Sequence, residues 1–270
     1  MLKILYEDDA IIVAEKPSGV ESQSAGSFQP DMVSMIQNHI MQSRRAAGKT
    51  RSSQKICTDL STNWGKLSTK PVEKAGKTGA PYVGVIHRLD KPVQGILVYA
   101  KTKETAKALS RLISEGKTEK YYFAVVCGKP VEKEGTFVDY LRKDPKKNES
   151  AVVDKTAPGA REARLSYQVL ESRRIDGEDL SLVGIRLETG RHHQIRVQFS
   201  SHGLPLWGDN RYHPDFQNGK RRGSIALCAA GLAFVHPITG KRMEFSINPR
   251  GAAFSWFEKP QVYFAGGDAY

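Results

Sequence analysis

The chain contains three cysteines, Cys57, Cys127 and Cys228, and they are widely spaced. An odd number of cysteines without a C-x-x-C pair excludes a disulfide framework and a zinc knuckle. Cys127 and Cys228 lie in apolar runs, where a free thiol behaves as a small hydrophobic side chain. We therefore expect a protein of a reducing, cytoplasmic compartment.

Long hydrophobic segments are also absent from the sequence. No apolar run approaches the ~20 residues of a membrane-spanning helix, and Asp8 and Asp9 come too early for a signal peptide. Neither an internal repeat nor an interdomain linker is evident, and hydrophobic (39%) and charged (26%) residues occur at ordinary levels. We expect one globular domain over residues 1–270, with a C-terminal tail from about 249 and no membrane partner.

Acidic residues are too few to balance the basic ones. The 41 Lys+Arg exceed the 29 Asp+Glu and leave a formal net charge of +12. A protein this basic attracts polyanions, of which RNA and DNA are the commonest. Residues 42–80 concentrate the excess, with nine basic side chains against Asp59 and Glu73. This stretch is rich in Ser, Thr and Gly, which is consistent either with a long exposed loop or with an insertion that contacts RNA.

Hydrophobic periodicity predicts more strands than helices. Amphipathic spacing indicates three helices, at 32–41, at 102–116 (where Thr102 could be the cap) and at 191–203. Apolar and β-branched runs indicate strands at 2–6, 10–15, 81–90, 95–102, 119–129, 163–170, 180–187, 225–235 and 241–247. Residues 130–160 are predicted to be a turn-rich, charged connection. Because strands and helices do not alternate regularly, the class is α+β, with a mixed, largely antiparallel central sheet and flanking helices.

The first polar cluster that could carry chemistry is His87-Arg88-Leu89-Asp90-Lys91-Pro92, between two strand-like runs. This position places Asp90 at a strand end or turn, where its carboxylate can project into a cleft. The positive charges of Arg88 and Lys91 favour the ionised form, and an ionised carboxylate in a cleft can act as a nucleophile or a general base. A surface turn with local ion pairs is the alternative that these residues alone leave open.

The second cluster runs from Thr189 to Arg196, at the predicted start of a helix. Arg191 and Arg196, beside the exposed N–H groups of that helix, form an anion site suited to a phosphate or to a catalytic carboxylate. His192 and His193 are adjacent, so on a helix they diverge by ~100° and are poorly placed to bind one metal ion. No H-E-x-x-H motif accompanies them, and we expect neither a metal nor another cofactor.

The third cluster is Lys120-Tyr121-Tyr122, on a predicted strand. Neighbouring side chains of a strand face opposite sides of the sheet, so one tyrosine can enter the core while the other lines a cleft. In a basic protein, an aromatic ring in a cleft can stack on an unstacked base. An ordinary strand aromatic is the alternative, and it is the better interpretation of Tyr121.

In this order, the clusters resemble the RluA-type family of pseudouridine synthases. The resemblance rests on KPSG (16–19), HRLDKPVQGILVYAKT (87–102), KYYFAVVCGK (120–129), LETGRHHQIRVQFSSHGLPLWGDNRY (187–212) and LCAAGLAFVHPIT (227–239). These motifs cover roughly residues 1–248, and their combination is far more specific than any one of them. Two features depart from the family pattern. Val93-Gln94-Gly95 stands where many relatives carry Thr-Ser-Gly, and we expect no S4-type RNA-binding domain before the first strand.

The resemblance implies an isomerase that converts specific uridines of ribosomal or transfer RNA to pseudouridine in an RNA-binding cleft, after flipping the base out of its stack. It implies no cofactor and no obligatory protein partner. By their positions in the motifs, Asp90 is the catalytic carboxylate, Arg196 pairs with it, and Tyr122 stacks on the target base. The further residues expected at the substrate are Arg88, which helps to hold the flipped site open, Ile195, which walls the base pocket, His87 and Arg191.

Two functions of other classes compete with this interpretation. A catalytically silent RNA-binding protein on the same fold would bind RNA in a salt-dependent way without turnover. The presence of both Asp90 and Arg196 argues against it, because a lost activity usually frees such positions to change. A hydrolytic RNA enzyme that uses His87, His192 and His193 as acid and base would shorten the RNA, whereas an isomerase leaves its length unchanged.

Overall fold

A computed structural model describes residues 2–24, 29–55 and 79–262 of the chain, and a sheet of eleven strands runs through this part. The strands are β1 (Lys3–Glu7), β2 (Ile11–Lys16), β3 (Gly84–Val85), β4 (Gln94–Ala100), β5 (Thr118–Cys127), β6 (Glu134–Asp144), β7 (Glu149–Val152), β8 (Arg161–Ile175), β9 (Glu178–Leu187), β10 (Leu227–Val235) and β11 (Arg242–Ser246). The helices are α1 (Met32–Lys55), α2 (Lys103–Ser114), α3 (Gln194–Ser201) and α4 (Pro214–Gln217), followed by a 3-10 turn at Ala252–Trp256.

The strand order is β1-β2-β4-β10-β5-β9-β8-β6-β7, with β3 also paired to β4 and β11 to β10. Every pairing among the described strands is antiparallel except that of β4 with β10. The prediction of an α+β fold with a mixed, largely antiparallel sheet is confirmed. Gly95 makes the parallel contact possible, because a Cβ at this residue (φ +148) would collide with Ala229.

The helix predicted at 32–41 begins at Met32 but continues to Lys55, so residues 42–55, expected to be a loop or an RNA-contacting insertion, are helical. The regularly spaced apolar residues of this helix end near Met41, and hydrophobic periodicity alone therefore does not predict its second half. Gln42, Arg44 and Arg45 favour its continuation, because Gln and Arg lose little side-chain freedom in a helix. The rest of the predicted loop, residues 56–78, lies outside the described part. The other two predicted helices are confirmed, and the Thr105 amide donates to Oγ1 of Thr102 (3.2 Å) as expected of a cap.

Residues 130–160, predicted as a turn-rich connection, contain instead the hairpin of β6 and β7. The hairpin lies at the end of the sheet order, so much of β6 faces solvent and its apolar alternation is sparse. Phe137 and Leu141 are the buried apolar residues of β6, at 8% and 4% exposure. Phe137 packs against Phe199 of α3 with ring centroids 5.1 Å apart, which seats the hairpin beside that helix.

The two faces of the sheet are both covered by apolar packing. On one face, Tyr122 of β5 shares a core cluster with side chains from α1 and α3, among them Ile36 and Phe199. The next residue, Phe123, belongs to a separate cluster on the other face together with Phe254. This alternation along β5 turns the Tyr122 side chain toward α3. None of the described helices is long and apolar enough to cross a membrane.

Candidate active site

Asp90 lies in the turn before β4, with 28% of its side chain exposed. Its carbonyl accepts a hydrogen bond from the Val93 amide (3.0 Å), which closes the turn. The hydroxyl of Ser22 accepts from the Leu89 amide (3.0 Å) and donates to the Leu89 carbonyl (2.9 Å). Because both polar groups of the preceding residue are held, the backbone fixes the position from which the Asp90 carboxylate projects.

Lys16, at the end of β2, supports the same turn from within the protein. Its side chain is fully buried. The ammonium donates to three backbone carbonyls, those of Pro17 (3.1 Å), Val20 (2.6 Å) and Lys91 (3.0 Å). Burial lowers the pKa of Lys16 to about 8, and the charge of Asp90 opposes this shift. The K-P-S-G motif therefore ties the end of β2 to the turn that carries Asp90.

Arg196 of α3 holds the carboxylate itself. Its Nη1 donates to Oδ2 of Asp90 (3.0 Å), while its Nε and Nη2 donate to the two oxygens of Asp209 (2.8 and 2.7 Å). Arg196 is 3% exposed and Asp209 fully buried, so the pair with Asp209 is shielded from water. Burial opposes the charge of Arg196, but the two carboxylates outweigh it and raise its pKa above the ordinary value. Arg196 therefore keeps both its position and its positive charge.

Asp209 is a site residue that the sequence analysis missed, although the W-G-D motif contains it. Gly208 before it has φ +75, and a Cβ there would collide with the Ser224 carbonyl. Besides Arg196, Asp209 binds the amides of Arg211 (2.9 Å) and Tyr212 (3.1 Å) through Oδ1. An acidic residue directly after an apolar run ending in glycine was the available signal, because a carboxylate buried there requires a cation.

His193 was named only in the hydrolytic alternative, and its contact with Asp90 was not predicted. Its Nε2 lies 3.5 Å from Oδ2 of Asp90, and its Nδ1 lies 2.8 Å from Oη of Tyr212. The rings of His192 and His193 stack with centroids 3.7 Å apart instead of diverging, because His193 precedes α3 in a left-handed conformation (φ 55). Burial lowers the pKa of His193 to about 4 although Asp90 opposes the shift, so the imidazole is neutral at pH 7.

Tyr122 and Ile195 are buried apolar residues near the Asp90 turn. They are 8% and 4% exposed and belong to one cluster with Leu89, the neighbour of Asp90. Burial, followed by the charge of Asp90, raises the pKa of Tyr122 well above its usual value, so its phenol keeps its proton. The structure thus brings together Asp90, Arg196, Tyr122 and Ile195.

The remaining predicted residues are placed differently. Arg88 is exposed. Arg191 donates from Nε to the carbonyl of Glu162 in β8 (2.7 Å). Nε2 of His87 accepts from the amide of Val98 in β4 (3.3 Å), and burial together with Lys120 lowers the pKa of His87 to about 3. A neutral imidazole bound to a strand amide is a poor acid, which disfavours the hydrolytic alternative.

The departure from the family pattern at Gln94 has a local function. The Gln94 amide nitrogen donates to the Arg250 carbonyl, and its oxygen accepts from the Arg250 amide (3.3 Å). The side chain therefore fastens the start of β4 to the segment after β11. In the part of the chain that the structure describes, no group of three His, Cys, Asp or Glu side chains is placed to hold a metal ion.

Comparison with known proteins identifies the family of the chain. A family model described as RNA pseudouridylate synthase matches residues 10–201. An uncharacterized RNA pseudouridine synthase of Synechocystis is 32% identical over 97% of this chain and 68% of its own length. The rice protein named RNA pseudouridine synthase 2, chloroplastic, is 30% identical over 92% of this chain and 62% of its own length. The chain thus spans about two thirds of these relatives, between 62% and 68%.

The solved structure of human RNA Pseudouridylate Synthase Domain Containing 1 has a similar fold. Its TM-score is 0.65 at 19% sequence identity, over 92% of this chain and 83% of the human one. Human RNA Pseudouridylate Synthase Domain Containing 4 gives a TM-score of 0.63, also at 19% identity, over 92% of this chain and 88% of that one. At this level of identity the likeness concerns the fold alone.

Proposed function

The chain belongs to the RNA pseudouridylate synthase family of isomerases, and from this we propose that it converts uridine to pseudouridine in ribosomal or transfer RNA, with Asp90 as the catalytic carboxylate. One observation carries the assignment of Asp90. In the chain of charges from Asp209 through Arg196 to Asp90, the exposed fractions are 0%, 3% and 28%, so the Asp90 carboxylate is the end that reaches solvent.

The reaction requires little beyond a held carboxylate and a place for the base. The bond between N1 and C1′ breaks, the base turns, and C5 bonds to C1′, while the C5 hydrogen leaves and N1 gains a proton. A carboxylate can serve as a nucleophile or as a base in this sequence. The flipped base needs an aromatic or apolar surface to replace its stack, and Tyr122 and Ile195 supply that surface beside Asp90. Arg88, which is exposed two residues before Asp90, is assigned to holding the flipped nucleotide.

The RNA that we would test first is large-subunit ribosomal RNA. A relative in Zymomonas mobilis and another in Nitrosomonas europaea are named ribosomal large subunit pseudouridine synthase D, at 30% and 32% identity. Transfer RNA is the second candidate. The net charge of +12 supports a polyanionic substrate in either case. The contribution of residues 42–80 to RNA binding, the single-domain organisation and the cytoplasmic location stay predictions.

Tritium release from RNA labelled at uridine C5 tests the function directly, because the C5 hydrogen is lost when the new carbon–carbon bond forms. The matched variant is Asp90→Asn, which keeps the shape of the side chain and removes its charge. We expect release by the native chain and none by the variant. No release by the native chain from ribosomal and transfer RNA together would contradict the proposal, and shortening of the RNA would indicate hydrolysis instead.

A further inference from the structure

The contacts of the Asp90 carboxylate are concentrated on one oxygen. Nη1 of Arg196 (3.0 Å) and Nε2 of His193 (3.5 Å) both face Oδ2. Within the described residues, neither a hydrogen bond nor an ion pair reaches Oδ1. A carboxylate held in this way has one oxygen that fixes its orientation and one that is available for chemistry.

The hydrogen bonds behind His193 run in one direction. The Ser150 amide, which can only donate, donates to Oη of Tyr212 (2.8 Å), and Oη lies 2.8 Å from Nδ1 of His193. A neutral imidazole carries one hydrogen, and a lone pair on Nε2 would repel the nearby carboxylate of Asp90. The hydrogen therefore belongs on Nε2, and the Tyr212 hydroxyl donates to Nδ1.

Tyr212 also touches the other residue that holds Asp90. Its ring lies beneath the guanidinium of Arg196, with the central carbon 5.2 Å from the ring centroid. His193 adopts a left-handed backbone (φ 55), which is uncommon for a residue with a side chain and is retained where the surroundings impose it. The side chain of His193 is 6% exposed, so its ring is fixed by packing as well as by Tyr212.

We propose that Tyr212 and His193 form a second anchor for Oδ2 of Asp90, beside Arg196, and that Oδ1 is the oxygen that meets the target nucleotide. His193 and Tyr212 are then positioning residues. This inference rests on the proposed function for its consequence in catalysis, whereas the hydrogen-bond order that it requires can be measured without turnover.

Tyr212→Phe tests the anchor in catalysis, since it keeps the ring beneath Arg196 and removes only the hydroxyl. We expect the single-turnover rate of isomerisation to fall about tenfold while the affinity for RNA is unchanged, because misplacement of a reacting group slows chemistry more than binding. Ser150→Ala is the matched control: it removes the contact of the Ser150 hydroxyl with Nδ1 of His192 (2.9 Å) but keeps the amide that orients Tyr212. An unchanged rate in Tyr212→Phe would overturn the anchor.

The tautomer of His193 gives a readout that does not depend on activity. Nitrogen-15 NMR of the imidazole groups should show the hydrogen on Nε2 of His193 in the native chain and a changed signal in Tyr212→Phe. His193→Asn, in which Asn tolerates the positive φ, assigns the resonance. A hydrogen on Nδ1 would overturn the anchor. A hydrogen on Nε2 in a chain that releases no tritium would support it and count against the proposed function alone.

Discussion

Two buried cations flank Asp90, and they support it in different ways. Among the described residues, Lys16 at the end of β2 binds three neutral backbone carbonyls and no carboxylate. Arg196 in α3 binds the carboxylates of Asp90 and Asp209. The β2 side therefore fixes the main chain of the turn, whereas the α3 side fixes the direction of the carboxylate.

The choice of cation follows from the partner. Carbonyl dipoles compensate a buried ammonium incompletely, and the pKa of Lys16 accordingly falls to about 8. A guanidinium remains charged when buried, and its planar fork matches the carboxylate of Asp209 with two parallel bonds. We conclude that the permanently charged Arg196 lies where it orients the Asp90 carboxylate, whereas Lys16, whose charge can titrate, lies where only backbone carbonyls need a donor.

Removing the ion pairs of Arg196 on the α3 side should have the largest effect on stability and activity. Arg196→Met leaves Asp209 buried without a countercharge, which should cost about 3–5 kcal/mol of stability and abolish tritium release. Arg196→Lys keeps the positive charge but not the planar fork. Its stability and its rate of tritium release should lie between those of Arg196→Met and those of the native chain. Urea unfolding measures the first effect, and a loss below about 1 kcal/mol in Arg196→Met would contradict this account of the pair.

The same substitution in the two carboxylates should separate structure from chemistry. Asp209→Asn weakens hydrogen bonds to a buried charge and should lower the free energy of unfolding by about 2 kcal/mol. Asp90→Asn, in a side chain that reaches solvent, should change it by less than about 1 kcal/mol while abolishing activity. Equal losses of stability in the two variants would show that both carboxylates are structural.

Breaking the β2 side should have a smaller effect. Lys16→Met leaves three carbonyls without their donor but also removes a buried charge, so we expect a loss of about 1–3 kcal/mol. The rate of isomerisation should fall while the affinity for RNA is kept, because Lys16 has no surface to offer the RNA. Lys91→Met in the same turn is the control, since its pair with Glu21 (3.4 Å) is half exposed. The control should stay within about 0.5 kcal/mol of the native chain.

The pH dependence of stability tests a third contact near Asp90, on the β4 side. There Nε2 of His87 accepts a hydrogen bond from the Val98 amide. The pKa of His87 in the folded chain, about 3, lies below its value in the unfolded chain, so the unfolded chain binds the proton first as the pH falls. Stability should therefore decrease below pH 6.5, by roughly 1.5 kcal/mol between pH 6.5 and 5 from this group alone. In His87→Gln this share of the decrease should disappear; an identical pH profile would contradict the assignment.

Local patterns predicted much of the fold and missed identifiable parts of it. The Thr102 cap, the strand predicted at 95–102 and the start of α1 follow from short-range patterns. The strand predicted at 81–90 is wrong except at Gly84–Val85. The hairpin of β6 and β7, at the end of the sheet order, was missed because strands with few buried residues lack a strong apolar alternation. The second half of α1 was missed because no apolar stripe marks it.

The sequence by itself determined the family of the protein and predicted the principal residues of its site. Its basic charge indicates a polyanionic partner, and the ordered motifs indicate Asp90 together with Arg196. Tertiary structure decided which groups surround that carboxylate. Asp90 and Arg196 are 106 residues apart, and they meet only because the sheet and α3 bring them together. Asp209, His193 and Tyr212 join them for the same reason: burial and hydrogen-bond direction are properties of the packed chain, which no local pattern encodes.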